Sequence, residues 1–366
     1  MIDKTSHRIL YGNANNLSDL EDGSVSLVVT SPPYPMIEMW DESFSSQNEA
    51  IRKALKEDQA EEAFELMHQA IDAVWKECYR VLRDGGVACI NIGDATRTIA
   101  KQFRLFPNHA RIVSSFLDLG FSNLPNIIWR KQTNAPNKFM GSGMLPPGAY
   151  VTLEHEFILV FRKGNKRHFP TREKDNRRES AYFWEERNQW FSDLWDLKGT
   201  AQVLSENGAR DRSGAYPFEL PYRLINMFSV KGDTVLDPFL GTGTTTLAAM
   251  ASGRNSVGCE LEKEFASIVE ATLLSKSNFE LVNNRIRKRL LDHQTFINQR
   301  LDDKGIESVK HFNEWFEFPV MTRQEKELKL QFVESITRGG ENLFEVSYIQ
   351  EALLDYQGER SLFSQA

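Results

Sequence analysis

The sequence contains few cysteines, and their spacing limits what they can do. Its 366 residues include three, Cys78, Cys89 and Cys259, with no CxxC pair and no His pair near any of them. Zinc sites and disulfide frameworks need regularly spaced ligands, so we expect neither a metal site nor a disulfide. Buried free thiols in a reducing cytoplasm fit this spacing better.

Long apolar runs are also absent. No stretch is long and apolar enough to cross a bilayer, and residues 1–10 lack the apolar core of a signal peptide. Hydrophobic residues make up 41% and charged residues 26% of the chain, which is typical of soluble globular proteins. We therefore expect a cytoplasmic protein that has no membrane contact and a core large enough to need no covalent staple.

An excess of positive charge is missing too. The formal net charge is −7, which argues against a nucleic-acid binder because such proteins carry basic patches. One stretch departs from this average, since residues 162–179 hold eight Lys or Arg and only three acids. A solvated charged face explains each cation about as well as a contact with nucleic-acid phosphates. The cations that we select for phosphate contact are Lys166, Arg167, Arg172, Arg177 and Arg178.

Alternating strands and helices predict an α/β fold. Short apolar runs bounded by turn residues, each a predicted strand, occupy residues 24–30, 87–92, 234–237 and 256–259. The last two flank a turn at Gly241 and a predicted helix at 244–252, which completes a βαβ unit. Such units build doubly wound, mostly parallel, Rossmann-like sheets. Predicted strands at 126–131 and 156–162, joined by a long loop, indicate an antiparallel hairpin at one edge of that sheet.

The pattern divides the chain into four parts. Residues 1–164 and 215–276 carry the regular elements and form two halves of one domain. Residues 165–214 are charged and aromatic without periodicity and are interpreted as an insertion, in which most aromatics pack a small core. Residues 277–366 are charged and form a mostly helical C-terminal extension of unknown role. Four cations of its first helix, Arg285, Arg287, Lys288 and Arg289, favour a solvated face.

The turn after strand 234–237 is a candidate cofactor site. Glycines at 241 and 243 let the backbone approach a ligand, and the helix that follows presents free N–H groups. A P-loop would need a Lys before Thr244, and a dinucleotide site would need a third glycine. Asp237 would repel a pyrophosphate but suits a ligand with a positive amino group. Glu260, at the end of the next strand, is placed to accept hydrogen bonds from ribose hydroxyls.

Ser31-Pro32-Pro33-Tyr34 follows a buried strand directly, where open α/β sheets place ligands. The prolines fix the backbone and remove two N–H donors, so carbonyls, a hydroxyl and an aromatic face remain. The exocyclic amine of cytosine or adenine is a poor nucleophile because its lone pair is delocalised into the ring. Acceptors from Ser31 and Pro32 would free that lone pair, while Tyr34 stacks on the base. A packed Pro-Pro loop is the alternative.

These two motifs resemble those of the DNA amino-methyltransferases. Residues 31–34 match the family's catalytic (S/N/D)PP(Y/F) motif, and residues 237–243, DPFLGTG, match its cofactor motif. The catalytic motif comes first, as in the permuted β group. The resemblance implies S-adenosyl-L-methionine as cofactor and double-stranded DNA as substrate. It also makes 1–164 the catalytic half, 165–214 the target-recognition insertion and 215–276 the cofactor-binding half.

The resemblance assigns roles to individual residues. The expected catalytic set is Ser31, Pro32, Pro33 and Tyr34. The expected cofactor set is Asn13, Phe218, Asp237, Phe239, Gly241, Gly243, Thr244 and Glu260. His155 either packs beside the flipped base or is a structural histidine.

Several functions remain open at this point. Ser31 favours N4 of cytosine by family habit, although N6 of adenine would use the same acceptors. Cys78, Cys89 and Cys259 lie in predicted helices or strands, so none suits a C5-cytosine mechanism. The resemblance further implies a restriction endonuclease as a partner at the same site, and a monomer or homodimer. An amide methyltransferase acting on protein, or an inactive DNA-binding subunit, are the competing interpretations.

Overall fold

The computed structural model describes residues 2–131, 140–199 and 216–350. The strands in chain order are β1 Lys4–Tyr11, β2 Val25–Thr30, β3 Leu82–Ile92, β4 Ala95–Ile99, β5 Gln102–Phe106, β6 Phe121–Asn123, β7 Ile127–Arg130, β8 Met140–Gly141, β9 Ala149–Tyr150, β10 His155–Lys163, β11 Leu194–Asp196, β12 Thr234–Asp237, β13 Asn255–Glu260, β14 His311–Asn313, β15 Phe318–Val320, β16 Val333–Gly340 and β17 Leu343–Tyr348.

The α-helices lie between these strands on both sides of the central sheet. In chain order they are α1 Asp41–Gln47, α2 Glu49–Lys56, α3 Ala60–Val81, α4 Asn108–Asp118, α5 Thr171–Glu179, α6 Trp184–Trp190, α7 Glu219–Phe228, α8 Thr244–Ala251, α9 Ala266–Leu274 and α10 Lys276–Lys304. No helix of the described residues is long and apolar enough to span a membrane. All three cysteines are buried and free.

The central sheet has the order β11-β7-β10-β3-β2-β12-β13-β1-β17-β16. Neighbours from β3 through β2, β12 and β13 to β1 are parallel, and β2 is buried along its whole length. A strand buried on both faces is mostly apolar, which explains the Val and Leu residues of the sequence VSLVVT. The predicted doubly wound, mostly parallel sheet is therefore confirmed, and its five parallel carboxyl ends meet at one edge.

Helices cover the two faces of this sheet in two separate apolar clusters. On one face α3 buries a stripe that includes Met67, Ile71 and Val74 against β3, because residues three or four apart share one side of a helix. On the other face α8 is almost entirely buried, under α7 and α10. The expected helical layers on both faces are thus present, and they leave the carboxyl ends of the strands uncovered.

The antiparallel hairpin is also confirmed, with one change. β7 pairs antiparallel with β10, and β10 pairs antiparallel with β3. The edge, however, is β11, which comes from the predicted insertion and runs parallel to β7. Trp195 of β11 and Phe183, directly before α6, are buried in the main core, so these aromatics of the insertion complete the large core and not a small separate one.

The C-terminal extension needs a correction. Its helix α10 ends at Gly305, which has a φ of 72°, and the later residues form strands β14 to β17. β17 alternates buried and half-buried residues and pairs with β1, so the hairpin β16–β17 extends the central sheet. The solvated face expected on α10 is also wrong in part, since Arg289 is 2% exposed and binds Glu186 through two hydrogen bonds.

Candidate active site

The two sequence motifs meet at the carboxyl ends of neighbouring strands. β2 ends at Thr30, immediately before Ser31, and β12 ends at Asp237. The Thr30 hydroxyl donates a hydrogen bond to Oδ1 of Asp237 across 2.5 Å, although the two residues are 207 positions apart in the chain. Because parallel neighbours end at the same edge, the fold brings the predicted catalytic and cofactor segments into contact.

Asp237 is the centre of this junction. Its side chain is 3% exposed and accepts three more hydrogen bonds: from the Phe239 N–H at 3.1 Å, the Tyr216 hydroxyl at 3.3 Å and the Thr245 hydroxyl. Burial raises the pKa of Asp237, while these donors oppose that rise. The carboxylate therefore joins β2, the glycine turn and α8, and it also forms part of the cavity wall as expected for a cofactor-site residue.

The glycine turn is held by the second predicted acid. Glu260, at the end of β13, accepts a hydrogen bond from the Gly241 N–H at 2.9 Å and another from the Glu262 N–H at 3.0 Å. Gly241 has a φ of 55°, which a side chain would disfavour. Burial raises the pKa of Glu260. Each carboxylate oxygen keeps acceptor capacity for a ligand, because each accepts only one of these two backbone bonds.

Two residues of the predicted cofactor set, Gly243 and Phe218, do not line the cavity that the other members of the set line. Gly243 begins α8 with a φ of 91° and faces Val269 and Leu273 of α9, so it serves close packing and does not line the cavity. Phe218 stacks on Tyr222 at 5.4 Å within the core. Tyr216, two residues before Phe218, lines the cavity in its place. An aromatic near that position was predictable, but not which of the two faces inward.

Tyr34 is fixed by a network of hydrogen bonds. Its hydroxyl donates to Oε2 of Glu156 at 2.9 Å and accepts from Nδ2 of Asn91 at 2.8 Å, and Oγ of Ser31 lies 3.1 Å away. Nδ2 of Asn91 also donates to Glu156 at 2.8 Å. Burial and the Glu156 carboxylate raise the pKa of Tyr34 well above its usual range, so the phenol keeps its proton.

Glu156 and Asn91 are site residues that sequence reasoning missed. Glu156 is 9% exposed on β10, and its other oxygen accepts from Nζ of Lys131. The neighbouring His155, which the sequence offered as a candidate, packs edge-on against Phe157 and is not part of the cavity wall. An acid within the apolar run EFILVF was the available sign, because a buried carboxylate needs partners or a function.

A cavity of about 460 Å³ opens beside this network. Its wall includes the catalytic loop, the glycine turn and apolar side chains from α3 and the segment before it. Among the described lining residues four are acids and one, Lys131, is a cation. The predicted residues that line it are Asn13, Ser31, Pro32, Pro33, Tyr34, Asp237, Phe239, Gly241, Thr244 and Glu260.

The predicted DNA-binding cations lie at the opposite edge of the sheet. Arg167 is bonded to Asp233, directly before β12, at 2.6 Å, and Asn176 of α5 donates to the Lys231 carbonyl. Both contacts are at the amino ends of the parallel strands. The remaining cations are exposed there, and Arg178 pairs with Asp175. The structure therefore does not bring Lys166, Arg167, Arg172, Arg177 and Arg178 to the cavity.

The cavity suits a cationic nucleoside. Its size falls within the range of roughly 300–1,000 Å³ that small-molecule sites occupy. The surplus of carboxylates would repel a phosphate or pyrophosphate but complements a sulfonium and an ammonium group. Phe239, Ile71 and Val74 form an apolar part of the wall, and Glu260 adds carboxylate oxygens with acceptor capacity. Fold and cavity together define a Rossmann-like α/β protein with a small-molecule site at the carboxyl edge of its parallel strands.

Comparison with known proteins identifies the family. The profile of the DNA methylases that modify N6 or N4 amino groups matches residues 25–271. The chain is 51% identical over 348 residues to the type II methyltransferase M.MthZI of Methanothermobacter thermautotrophicus, covering 94% of this chain and 96% of the relative. M.MjaI of Methanocaldococcus jannaschii is 52% identical over 277 residues, 73% and 90% of the two chains. The protein belongs to this family of DNA amino-methyltransferases.

Solved structures agree with this assignment. TTHA0409 of Thermus thermophilus, determined with S-adenosyl-L-methionine, has a TM-score of 0.55 and 34% identity, covering 72% of this chain and 92% of that one. The PvuII cytosine-N4-specific methyltransferase, at 16% identity, shares the fold with a TM-score of 0.50 over 76% and 93% of the chains. The cofactor of the protein described here is S-adenosyl-L-methionine, as predicted, and its substrate is DNA.

Proposed function

We propose that the protein methylates N4 of a cytosine flipped out of duplex DNA, as the modification enzyme of a restriction–modification pair. The observation that carries methylation of an amine is the position of Ser31, and a serine at this place favours cytosine by family habit. Its hydroxyl stands at the carboxyl end of β2, beside the cavity and 3.1 Å from the Tyr34 hydroxyl. The full-length similarity to a type II methyltransferase supports the modification role.

Activation of the amine falls to the catalytic loop. The Ser31 hydroxyl and the Pro32 carbonyl face a group that enters beside Tyr34, and both can accept hydrogen bonds from an amine. Such acceptors favour a tetrahedral nitrogen whose lone pair is free to attack. Because Pro32 and Pro33 carry no N–H, the loop presents acceptors without competing donors.

Orientation of the base falls to Tyr34. Asn91 and Glu156 hold its hydroxyl from two sides, so the ring cannot rotate away when a base stacks on it. The chain from Ser31 Oγ through Tyr34 Oη to Glu156 Oε2, with steps of 3.1 and 2.9 Å, also offers a path for the proton that the amine loses. Glu156 is the acceptor at the end of that path.

Cofactor binding falls to the other half of the cavity. S-adenosyl-L-methionine, when bound, supplies an electrophilic methyl group on a sulfonium. Glu260 would accept hydrogen bonds from the ribose hydroxyls, Phe239 would pack against the adenine, and the Asp237 carboxylate would place negative charge near the methionine amino group. In this arrangement the chain mainly positions its two substrates for in-line transfer.

The test is to identify the methylated nucleoside. The protein is incubated with methyl-labelled cofactor and unmodified phage DNA, the DNA is digested to nucleosides, and the label is located by mass spectrometry. We expect N4-methylcytosine. Label on N6-methyladenine would support the same active site with adenine as its target. DNA without label would instead support the inactive DNA-binding subunit.

Tyr34 variants connect that activity to this site. Tyr34→Ala removes the stacking face and should lower kcat/KM about 100-fold, since stacking on a base is worth ~1–3 kcal/mol and the network is lost as well. Tyr34→Phe keeps the face and should lose about tenfold or less. Equal activity of Tyr34→Ala and the unsubstituted protein would contradict the stacking role.

A further inference from the structure

A hairpin follows strand β3 directly and starts beside the catalytic loop. β4–β5, residues 95–106, follows Gly93, whose Cα lies so close to the Tyr34 ring that an added methyl would be 3.0 Å from it. After the hairpin the chain returns at Asn108, whose amide donates to the carbonyls of Gly93 at 3.0 Å and Pro35 at 3.1 Å. One end of this hairpin therefore contacts the Tyr34 ring, and the other end is hydrogen-bonded to Pro35, the residue after Tyr34.

A second segment stands beside it. Residues 140–153, with the small hairpin β8–β9, belong to a connection closed at its base by the Lys131 N–H to Glu154 carbonyl bond of 2.8 Å. Lys131 lines the cavity. Tyr150 of this segment stacks on Phe103 of the first hairpin, with ring centroids 4.4 Å apart. The two segments therefore form one surface, the mouth surface, which adjoins the cavity residues Tyr34 and Lys131.

The mouth surface differs in charge from the rest of the chain. Residues 95–106 and 140–153 contain three cations, Arg97, Lys101 and Arg104, and no acid, in a protein with a net charge of −7. Arg97 and Arg104 are paired with Asp41 and Glu61 of the neighbouring helices and hold the hairpin in place. Lys101 is different, because it is exposed in the two-residue turn at the hairpin tip, where its φ is 64°.

The mouth surface also carries apolar side chains without cover. Val151 is 84%, Met144 82% and Leu145 71% exposed, which makes them the three most exposed large apolar residues in the described chain. Single exposed apolar residues are ordinary, but three within residues 144–151 of one segment, next to a basic hairpin, indicate an interaction surface. Its occupant must tolerate both positive charge and an apolar contact.

We propose that the mouth surface docks the duplex, with Met144, Leu145 and Val151 against the bases next to the extruded one. This inference depends on the proposed base-flipping function. The base enters the cavity from DNA, so the duplex lies against the face where the cavity opens, and the two hairpins start beside Tyr34 and Lys131 of the cavity wall. Lys101 contacts backbone phosphates, and the apolar cluster fills the space that the extruded base leaves.

The first experiment removes the apolar contact. The double variant M144S/L145S should raise KM for unmodified phage duplex DNA at least tenfold, while cofactor affinity by calorimetry and the thermal midpoint stay unchanged because both side chains are exposed. Ile306→Ser is the matched control, since Ile306 is 67% exposed just after the end of α10 and outside the cavity wall. It should stay within twofold of the unsubstituted protein. A KM for M144S/L145S equal to that of I306S would overturn the proposal.

The second experiment reverses charge at either end of the sheet. Lys101→Glu should raise KM for duplex DNA about tenfold and flatten its salt dependence, whereas Arg172→Glu on α5, 83% exposed, should leave both unchanged. A larger rise in KM for Arg172→Glu than for Lys101→Glu would place the DNA at the amino edge of the sheet and overturn the proposal. The proposal would also fail if M144S/L145S changed the molar mass measured by light scattering but not the KM. That result would assign the exposed apolar side chains to contact with a second copy of the chain. DNA left unmethylated by the unsubstituted protein would refute the proposed function itself.

Discussion

Strand β12 has a buried aspartate at each end, and the two differ in what surrounds them. Asp233, just before the strand, is 8% exposed and accepts from the Val230 N–H at 2.8 Å and from Arg167. Asp237, at the other end, has hydroxyl and backbone donors but no cation bonded to it among the described residues. One carboxylate is neutralised by an ion pair and the other contributes net negative charge to a cavity wall.

The same contrast holds for the two edges of the sheet. At the amino edge charged groups mostly pair with each other, as Arg167 does with Asp233 and Lys329 with Glu179. At the carboxyl edge acids outnumber cations around the cavity and keep acceptor capacity. The number of charges in a segment is therefore a poor guide to where a ligand binds. A better guide is whether those charges already have ion-pair partners within the protein.

The largest expected effect comes from Asp237→Ala. Four donors lose their acceptor, so we expect cofactor affinity to fall at least 100-fold, methylation to vanish and the free energy of unfolding to drop by roughly 3 kcal/mol. Asp233→Ala is the matched control at the other end of β12 and should lose stability but keep cofactor affinity. Calorimetry and urea unfolding measure both quantities. Equal cofactor affinity of the two variants would remove the distinction between the edges.

Glu156→Gln should have an intermediate effect. The neutral side chain still accepts from Asn91 but no longer takes a proton, so we expect kcat to fall about 10- to 100-fold with cofactor affinity unchanged. Glu156→Asp should recover part of the loss and shift the pH profile of kcat. Glu154→Gln, exposed two residues earlier, is the control. A change in KM without a change in kcat would show that Glu156 does not accept the proton and only packs within the site.

The smallest effect on activity is expected at Lys231. Burial lowers the pKa of Lys231 to about 7, with the charges of Glu179 and Arg254 nearby, and its ammonium has no hydrogen-bond partner among the described atoms. Between pH 7 and its unfolded pKa near 10.4 the unfolded chain binds a proton that the folded chain lacks, so stability rises by ~1.4 kcal/mol per pH unit.

Lys231→Met should abolish that slope and leave kcat and KM unchanged. Urea midpoints at pH values of about 7.5 and 9, both inside that window, measure it, with Lys174→Met on the exposed face of α5 as control. An unchanged slope would show that Lys231 is not the titrating group, and lost methylation would show that the amino edge contributes to the reaction.

The central part of the site could be predicted from the sequence because its signals are local. Ser31, Asp237 and Glu260 each lie at the end of a strand of a parallel sheet, so the order of apolar runs and turns was enough to gather them at one edge. The strands themselves are short apolar runs, which are recognisable without knowledge of their neighbours.

The remaining features depend on pairing that is not local. Glu156 reaches Tyr34 only because β10 runs antiparallel to β3, which places the start of one strand beside the end of the other. The basic stretch at 162–179 was visible as charge, but charge alone does not indicate an edge of the sheet. Strand β17 did carry an alternating pattern, with Phe344, Val346 and Tyr348 inward, that a search for period-two segments would have found.

The hydrogen bond between Thr30 and Asp237 depends on which strands are neighbours in the sheet, and not on the order in which β2 and β12 occur along the chain. It joins two strand ends that are adjacent in the sheet and 207 positions apart in the gene product. A rearranged gene that encoded β12 ahead of β2 would leave the same two strands side by side. Evolution can therefore cut and rejoin such a chain at other loops, and the chemistry survives as long as these two strands remain neighbours.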